Sequence, residues 1–432
     1  MRSSRSRTRR KACPLSSKNA NRLSRTVSPA PVLLVAHILS MLGFATYAAL
    51  LPGLRDEWAL SNVQAGVVGG MFFAGYVATV SYWTALTDRL DGRKVYVGGS
   101  VIAAAASAGF GLAADGFAAA VLFQALLGVG IAATYMPGLR LLSDRIAGPR
   151  QSRSIAFYTS FFGIGTALSL ALAGLVAPLA GWRMAFIVSA AGPLLAASLV
   201  FALIEPLPHA PRPTLGFSLN TLFPVVAWRK VLSDRATAGY TLGYVAHCLE
   251  LFGSRAWMVA FLAFSSALHG SETFPWRLPA IAAVVNLLAV PASIVGNEIA
   301  LRIGRRRWIM LAMAGSGASG VVVALAAPWH WGLVLALLIA YSMLVMAESG
   351  TLTAGLVAAA PAELRGAAMG LYSLAGFGGG LLGPVIFGAA LDAGGGAAKG
   401  AAWVIAYAAI GAGCLAAPLV VKLTARKTSG PC

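Results

Sequence analysis

The chain has 432 residues, of which 58% are hydrophobic and only 11% are charged. Its mean hydropathy of +0.77 is far above that of a water-soluble domain, so composition excludes a soluble globular protein. The formal net charge of +19 is spread over many short segments and forms no basic domain, so nucleic-acid binding is not expected.

The first 30 residues are rich in Arg and Ser and contain no acidic residue. They lack the apolar stretch of a secretory signal, and we expect residues 1–30 to be a disordered basic cytoplasmic tail. An organelle transit peptide and an over-extended gene start are the alternatives.

Twelve apolar stretches follow, each long enough to cross a bilayer core of about 30 Å. Backbone polar groups in lipid must be paired within the segment, so each stretch is predicted to be a helix. The predicted spans are 31–53, 64–86, 95–114, 117–140, 154–178, 184–204, 238–264, 278–301, 308–327, 332–358, 367–391 and 400–421.

The cations lie almost entirely on one side of these spans. With the N-terminus inside, 28 of the 33 Lys and Arg fall in inner segments, four fall in outer loops, and Arg255 lies within a span. The positive-inside rule therefore predicts a multi-pass protein of the cytoplasmic (inner) membrane with both termini in the cytoplasm.

The spans form two groups of six, an N-terminal half at 31–204 and a C-terminal half at 238–421. Residues 205–237 have four spaced prolines near their start, at positions 206, 208, 211 and 213, and later the stretch TLFPVVAWRKVLSDRA. This pattern is typical of a cytoplasmic linker with a basic amphipathic helix. Residues 422–432 are predicted to be a second cytoplasmic tail.

The two halves also resemble each other in sequence. Gly-Arg-Lys at 92–94 recurs as Gly-Arg-Arg at 304–306, 212 residues later. At an offset of 214, Tyr158, Gly165 and Gly174 of span five recur as Tyr372, Gly379 and Gly388 of span eleven. The fold class is therefore an all-α membrane protein of two six-helix repeats, an architecture that binds solutes between its halves near the midplane.

The loop LTDRLDGRK between spans two and three resembles the signature loop of the major facilitator superfamily, Gly-x-Leu-Ala-Asp-Arg-x-Gly-Arg-Arg. The matching residues are Asp88, Arg89, Gly92, Arg93 and Lys94; Thr84 replaces the first Gly, and one residue is inserted before Gly92. The second copy keeps Gly304, Arg305 and Arg306 but has Leu301 in place of the acid.

The resemblance implies that these loops form a conformational latch. In the family the acidic residue caps span eleven and locks the outward-open state, so Asp88 would meet the chain near Arg365. A carboxylate near a helix N-terminus is stabilised by the helix dipole, which gives this role a physical basis.

Further matches cover most of the chain. Gly181-Trp182-Arg183 opens span six as it often does in this superfamily, and Gly379, Gly383 and Pro384 of span eleven provide small-residue spacing for helix packing. Two positions depart from the family. Gln124 of span four stands where an Arg often serves proton coupling, and Ser169-Leu170 stands where drug/proton antiporters have Gly-Pro.

Span seven carries three ionisable residues at bilayer depth: His247, Glu250 and Arg255. Each costs at least about 2.5–3.5 kcal/mol to insert, which indicates function. In one interpretation Glu250 exchanges protons, His247 tunes or relays them, and Arg255 binds an anionic group of the substrate. In the other, Glu250 and Arg255 form a buried pair across helices that only sets packing.

Glu348 of span ten fits proton coupling and helix packing equally well. For His37 of span one, a packing role is favoured. Lower-specificity candidates for a central cavity are Gln124, Asn286, Asn297, Tyr47 and Tyr76.

The four cysteines are scattered, without metal-ligand spacing, and no phosphate-binding loop or hydrolase motif is present. We therefore expect no cofactor, no metal and no enzymatic activity.

The sequence predicts a monomeric secondary active transporter in the lipid bilayer that moves a small organic solute by alternating access, with H⁺ as coupling ion. A multidrug/proton antiporter, or a non-transporting receptor on the same fold, is the alternative.

Overall fold

The computed structural model describes residues 28–146, 149–206, 223–269 and 274–417. Within these ranges the chain is helical, without strands. The two predicted tails lie almost wholly outside them, as do residues 207–222 of the predicted linker.

The first six predicted spans are formed by seven helices. A short 3₁₀ turn at Met41–Gly43 joins the first two helices into one span. The helices are α1 (Pro29–Ser40), α2 (Thr46–Glu57), α3 (Asn62–Leu86), α4 (Gly92–Ala113), α5 (Phe117–Ser143), α6 (Pro149–Ser189) and α7 (Ala191–Leu203).

The Gly-Trp-Arg motif marks a break inside α6. This helix runs for 41 residues, too long for one crossing, but Gly181 has φ +86°, a left-handed conformation that only glycine adopts at low cost. The chain turns there from span five to span six. Trp182 fixes the turn, because its Nε1 donates a hydrogen bond of 2.8 Å to Glu57 at the end of α2.

The second group of spans follows a short amphipathic helix, α8, which lies in the predicted linker. Val231 of α8 is buried against Ala360 and Ala368, so α8 packs on the C-terminal half. The helices are α8 (Val225–Ser233), α9 (Arg235–Leu268), α10 (Leu278–Ile303), α11 (Arg305–Leu325), α12 (Trp331–Ala347), α13 (Ser349–Ala359), α14 (Arg365–Ala393) and α15 (Gly400–Leu415).

These helices account for all twelve predicted spans. Ten apolar helical stretches of the described chain are long enough to cross a membrane, and one of them, Phe157–Leu203, contains spans five and six. The last span is the shorter apolar helix α15. The predicted fold class, an all-α membrane protein of twelve crossings, is confirmed.

The two halves meet along three helix pairs: α3 with α14, α6 with α10, and α2 with α9. We call the end of the bundle that carries α8 the linker end, and the end where α3 begins and α14 finishes the distal end. At the distal end the backbones of α3 and α14 almost touch. A Cβ atom on Gly66 would lie 2.3 Å from the Pro384 carbonyl oxygen, and one on Gly388 would lie 2.1 Å from that of Asn62.

Asp392, at the end of α14, caps the start of α3 in the other half. Its carboxylate accepts hydrogen bonds from the backbone N–H groups of Asn62 (3.3 Å) and Val63 (2.9 Å) and from Asn62 Nδ2 (2.7 Å). Arg55 Nη1 in turn donates to Asn62 Oδ1 at 3.2 Å. A carboxylate at a helix N-terminus satisfies free N–H groups and complements the helix dipole. No local sequence pattern singles out Asp392.

The predicted orientation can be tested by cysteine labelling. Asp115, at the distal end, and Arg307, at the linker end, are both exposed. With Cys13 and Cys432 replaced by Ser, we expect Asp115→Cys to react with a membrane-impermeant maleimide in intact cells and Arg307→Cys to react only after permeabilisation. The reverse pattern would contradict the orientation.

We expect Asp392→Asn to loosen the distal end, because the neutral amide removes the charge that holds the α3 N-terminus. Ala48 borders the space between the halves, so labelling of Ala48→Cys from the distal side reports opening. The labelling rate should rise several-fold with Asp392→Asn. Asp56→Asn is the matched control, since Asp56 pairs with Arg55 within the same half. Equal rates in the two variants would show that Asp392 does not hold this end closed.

Candidate functional site

A cavity lies between the two halves near the middle of the bundle. Both halves line it. Its polar side chains are Tyr47, Gln124, Thr166, Arg255 and Asn286, and its Phe side chains are Phe44, Phe72, Phe73 and Phe252. A largely apolar, aromatic wall with few polar groups is typical of a small-molecule site.

Arg255 of α9 is the one charged side chain among the described residues that line this cavity. It is partly buried, and within the described part of the chain it makes no hydrogen bond or ion pair. The alternative in which Glu250 and Arg255 form a buried pair is therefore wrong. An unpaired guanidinium away from bulk water is costly, and its five N–H donors suit a carboxylate.

Two buried amides accompany Arg255 in the cavity wall. Gln124 of α5 and Asn286 of α10 are each 2% exposed, and the side-chain oxygen of each has no hydrogen-bond partner. Asn286 Nδ2 donates to the Ala282 carbonyl oxygen at 2.8 Å, which holds this amide in place. A buried polar atom without a partner costs about 1–3 kcal/mol, and a ligand or water that supplies the missing hydrogen bond removes that cost.

The acidic residues of the predicted site lie elsewhere, inside the C-terminal half. His247 Nδ1 is 3.1 Å from Glu348 Oε1, and both side chains are buried. Glu250 Oε2 accepts a hydrogen bond of 2.8 Å from Ser316 of α11. None of these four side chains lines the cavity. The structure therefore divides the predicted site into a cavity with Arg255 and a buried acid cluster.

The acid cluster has structural features of its own. Glu348 lies at the break between α12 and α13, and its Oε2 atom has no hydrogen-bond partner among the described residues. The Tyr244 ring stacks on Tyr372 at 3.8 Å and lies 5.7 Å from the His247 ring. Two carboxyl groups and an imidazole in one buried, partly unsatisfied cluster have the chemistry to hold and pass protons.

Two of the lower-specificity candidates, and also His37, are not at the cavity. Tyr76 packs its ring against Phe377 at 4.5 Å. Asn297 lies on α10 beyond the cavity. His37 is buried, with its ring stacked on Tyr158 at 4.3 Å, in keeping with a packing role.

One internal repeat would have pointed to the acid cluster from the sequence. Ala-His-x-Leu-x-x-x-Gly at 36–43 recurs at 246–253, an offset of 210 residues. Within it His37 corresponds to His247, and Ser40 corresponds to Glu250. Ser40 bonds the Tyr96 hydroxyl at 2.7 Å, as Glu250 bonds Ser316. The acid thus replaces a neutral hydroxyl at the equivalent position, a substitution that packing alone does not require.

The predicted latch loop carries its own ion pair. Asp88 Oδ1 is 2.7 Å from Arg140 Nη2 of α5, and Arg140 Nη1 donates to Thr87 Oγ1 at 2.7 Å. Asp88, Arg89 and Lys94 lie on the exposed surface of this loop. In this conformation, Asp88 is thus paired within its own half.

The inserted residue of the loop makes Asp91 the N-cap of α4. Its side chain accepts from the Arg93 backbone N–H at 3.0 Å and pairs with the Arg93 guanidinium at 2.8 Å. Partial burial raises the pKa of Asp91, but the hydrogen bonds and charge of Arg93 outweigh this effect and lower the pKa below its ordinary value. Arg93 also donates to the Ile204 carbonyl oxygen at 2.8 Å, tying the loop to the end of α7.

The two copies of the loop use their shared glycine differently. Gly304 has φ +93°, so the second copy requires a glycine between α10 and α11. Gly92 begins α4, where a Cβ atom would lie 3.0 Å from Leu141. Arg305 is partly buried, and Arg306 borders a groove at the linker end with Tyr240 and Met313.

The small residues of span eleven face α9. A Cβ atom on Gly379 would lie 2.6 Å from the Val245 carbonyl oxygen, and one on Gly383 would lie 2.3 Å from that of Leu249. The Pro384 carbonyl oxygen accepts a hydrogen bond of 3.0 Å from Trp257 Nε1. These contacts bring α14 against the helix that carries Glu250 and Arg255.

Twelve crossings in two similar halves around a central cavity define the architecture of a membrane transporter. A sequence profile of the Major Facilitator Superfamily matches residues 33–384, and the chain belongs to this family. The resemblance seen in the loop motifs is thereby confirmed, and the chain is a transporter-family protein rather than an enzyme.

Curated relatives match parts of the chain. It is 24% identical over 242 residues to Protein spinster homolog 3 of Danio rerio, covering 55% of this chain and 48% of the relative. In Acinetobacter baylyi, Niacin transporter NiaP is 24% identical over 38% of this chain and 36% of the relative. Benzoate transport protein of the same organism is 24% identical over 41% of this chain and 40% of the relative. The matches span less than half the length of each of these relatives.

Solved structures share the fold. A bacterial homolog of the human lysosomal transporter Spinster, in an inward-facing and unoccupied conformation, superposes with a TM-score of 0.71 at 16% identity, covering 92% of this chain and 95% of that one. A mutant of nucleoside transporter NupG superposes with a TM-score of 0.73 at 14% identity, covering 91% and 100%. At these identities the likeness concerns the fold alone.

Proposed function

We propose that the protein is a proton-coupled secondary transporter that moves a small organic anion by alternating access. The observation that carries this proposal is Arg255, an unpaired cation in a cavity lined by both halves. A group bound there contacts both halves at once, so it can be released to either side when they rock.

The chemistry of the cavity supports an anionic substrate. A guanidinium without a partner gains most from a ligand that brings a carboxylate, because charge-assisted hydrogen bonds to it are short and strong. Benzoate and niacin, which the names of two relatives mention, each carry one carboxylate. Arg255 therefore suits the same class of ligand.

The acid cluster supports proton coupling. His247 Nδ1 lies 3.1 Å from Glu348 Oε1, and Glu250 is buried on the same helix as His247, so groups that can exchange protons share one region. Glu250 and Arg255 lie on different faces of α9, one toward the acid cluster and one toward the cavity. We propose that α9 links the two events, because protonation and substrate binding act on opposite sides of one helix.

The contacts at the distal end support a state closed on that side. With the linker end in the cytoplasm, this is the inward-facing conformation of a monomer in the inner membrane. In the opposite conformation Asp88 leaves Arg140 and caps the start of α14, as Asp392 caps the start of α3 in this one. The latch residues and Asp392 then stabilise alternate states.

The proposed coupling is tested by Glu250→Gln, which keeps the shape of the side chain but cannot release a proton. In proteoliposomes we expect the variant to lose accumulation of its substrate driven by a pH gradient and to retain exchange of substrate across the membrane. Ser316→Ala is the matched control, because it removes the hydrogen bond to Glu250 and leaves the carboxyl group in place.

The opposite outcome is equally clear. A well-folded Glu250→Gln protein with full gradient-driven accumulation would remove Glu250 from the mechanism. The same assay on Glu348→Gln would then test the second carboxyl group of the cluster.

The latch is tested by Asp88→Asn. We expect unchanged expression and a substrate affinity within about threefold, because the loop does not touch the cavity, but slower transport and more of the inward-facing state. Double electron–electron resonance between spin labels at Lys94 and Arg307 would measure the separation at the linker end. Loss of substrate binding with an unchanged distance distribution would contradict the latch role.

A further inference from the structure

The walls of the cavity beside Arg255 are built from Phe side chains of both halves. Phe44 meets Phe72 edge-on, with ring centroids 4.8 Å apart and planes at 71°. Phe72 meets Phe73 at 5.1 Å and 88°, and Phe73 meets Phe252 of α9 at 4.4 Å and 50°. The first two pairs are edge-to-face and the third is tilted. Aromatic rings favour such packing, and a flat ring placed among them extends the same pattern.

The charges of the wall limit the substrate further. Arg255 supplies one positive charge, and no Asp or Glu is among the described lining residues. A single carboxylate is therefore balanced, whereas the second carboxylate of a dicarboxylate would be buried without a partner. The ammonium group of an amino acid would meet no negative charge. Burying an unpaired charge is costly, so both classes are disfavoured.

We infer that the substrate is a small aromatic monocarboxylate. Its carboxylate binds Arg255, its ring lies among Phe44, Phe73 and Phe252, and the amides of Gln124 and Asn286 meet one polar substituent on the ring. This inference rests on the proposed function, because it specifies the anion that the Arg255 cavity takes.

The experiment compares probes of matched size on the purified full chain in lipid nanodiscs. Binding is measured by isothermal titration with benzoate, cyclohexanecarboxylate, benzamide, phthalate and phenylalanine. We expect benzoate to bind and cyclohexanecarboxylate to bind about fivefold more weakly, since it has the same charge without an aromatic ring. Benzamide, phthalate and phenylalanine should not bind measurably.

Variants assign the contacts. Arg255→Gln should weaken benzoate binding about tenfold or more, because it removes the charged partner. Phe252→Leu should weaken benzoate binding and leave cyclohexanecarboxylate binding nearly unchanged. Phe157→Leu is the matched control, since Phe157 is 49% exposed and does not line the cavity.

The outcomes separate this inference from the proposed function. Equal or tighter binding of cyclohexanecarboxylate, still dependent on Arg255, would overturn the aromatic class and leave anion transport standing. Binding of benzamide but of no carboxylate would overturn both. If neither benzoate nor cyclohexanecarboxylate bound, the aromatic class would be overturned. The probe comparison uses the unmodified protein, so it stands even where a variant fails to fold.

Discussion

The rest of the structure depends on the contact between α3 and α14 at the distal end. Glycines at 66 and 388 let these backbones approach more closely than any side chain would allow, and Asp392 then reaches the N-terminus of α3. Together with the contacts of α6 with α10 and of α2 with α9, it joins the two six-helix halves. It closes one end of the space between them and brings Gln124 of one half and Arg255 of the other to the same cavity.

A second constraint follows from the scarcity of charge inside the bundle. Lipid and packed helices give a charged group little solvation, so each interior ionisable residue needs a partner or a purpose. His247, Glu250 and Glu348 lie in one region of the C-terminal half, and Arg255 lies in another. Glu250 and Arg255 are only five residues apart on α9, but helical geometry turns their side chains to different neighbours. One helix thus serves two chemical environments, the cavity and the buried acid cluster.

The sequence alone predicts the twelve crossings and the pairing of the halves, because lipid demands long apolar helices and duplication leaves matching residues behind. It also singles out His247, Glu250, Arg255 and Glu348. The sequence cannot assign Arg255 to the cavity and the other three residues to the acid cluster, because this division depends on how α9 is rotated against α10, α12 and α14. Asp392 is missed for a related reason. An exposed Asp at a helix end has no special local pattern, and its partner lies 330 residues away. The recurrence of His37 as His247 was available in the sequence and would have identified the acid cluster as an altered copy of a neutral one.

The glycines of the α3–α14 contact have a consequence for the speed of the conformational cycle. Most interfaces order side chains when they form, and each ordered rotamer opposes closure with an entropic cost. A glycine has no rotamer to lose, so these two backbones can separate and rejoin with little loss of side-chain freedom. Besides the contacts of α6 with α10 and of α2 with α9, closure of the distal end then uses directional hydrogen bonds at Asp392. A contact of this kind suits the proposed alternating-access cycle, in which the distal end would open and close once for every molecule carried.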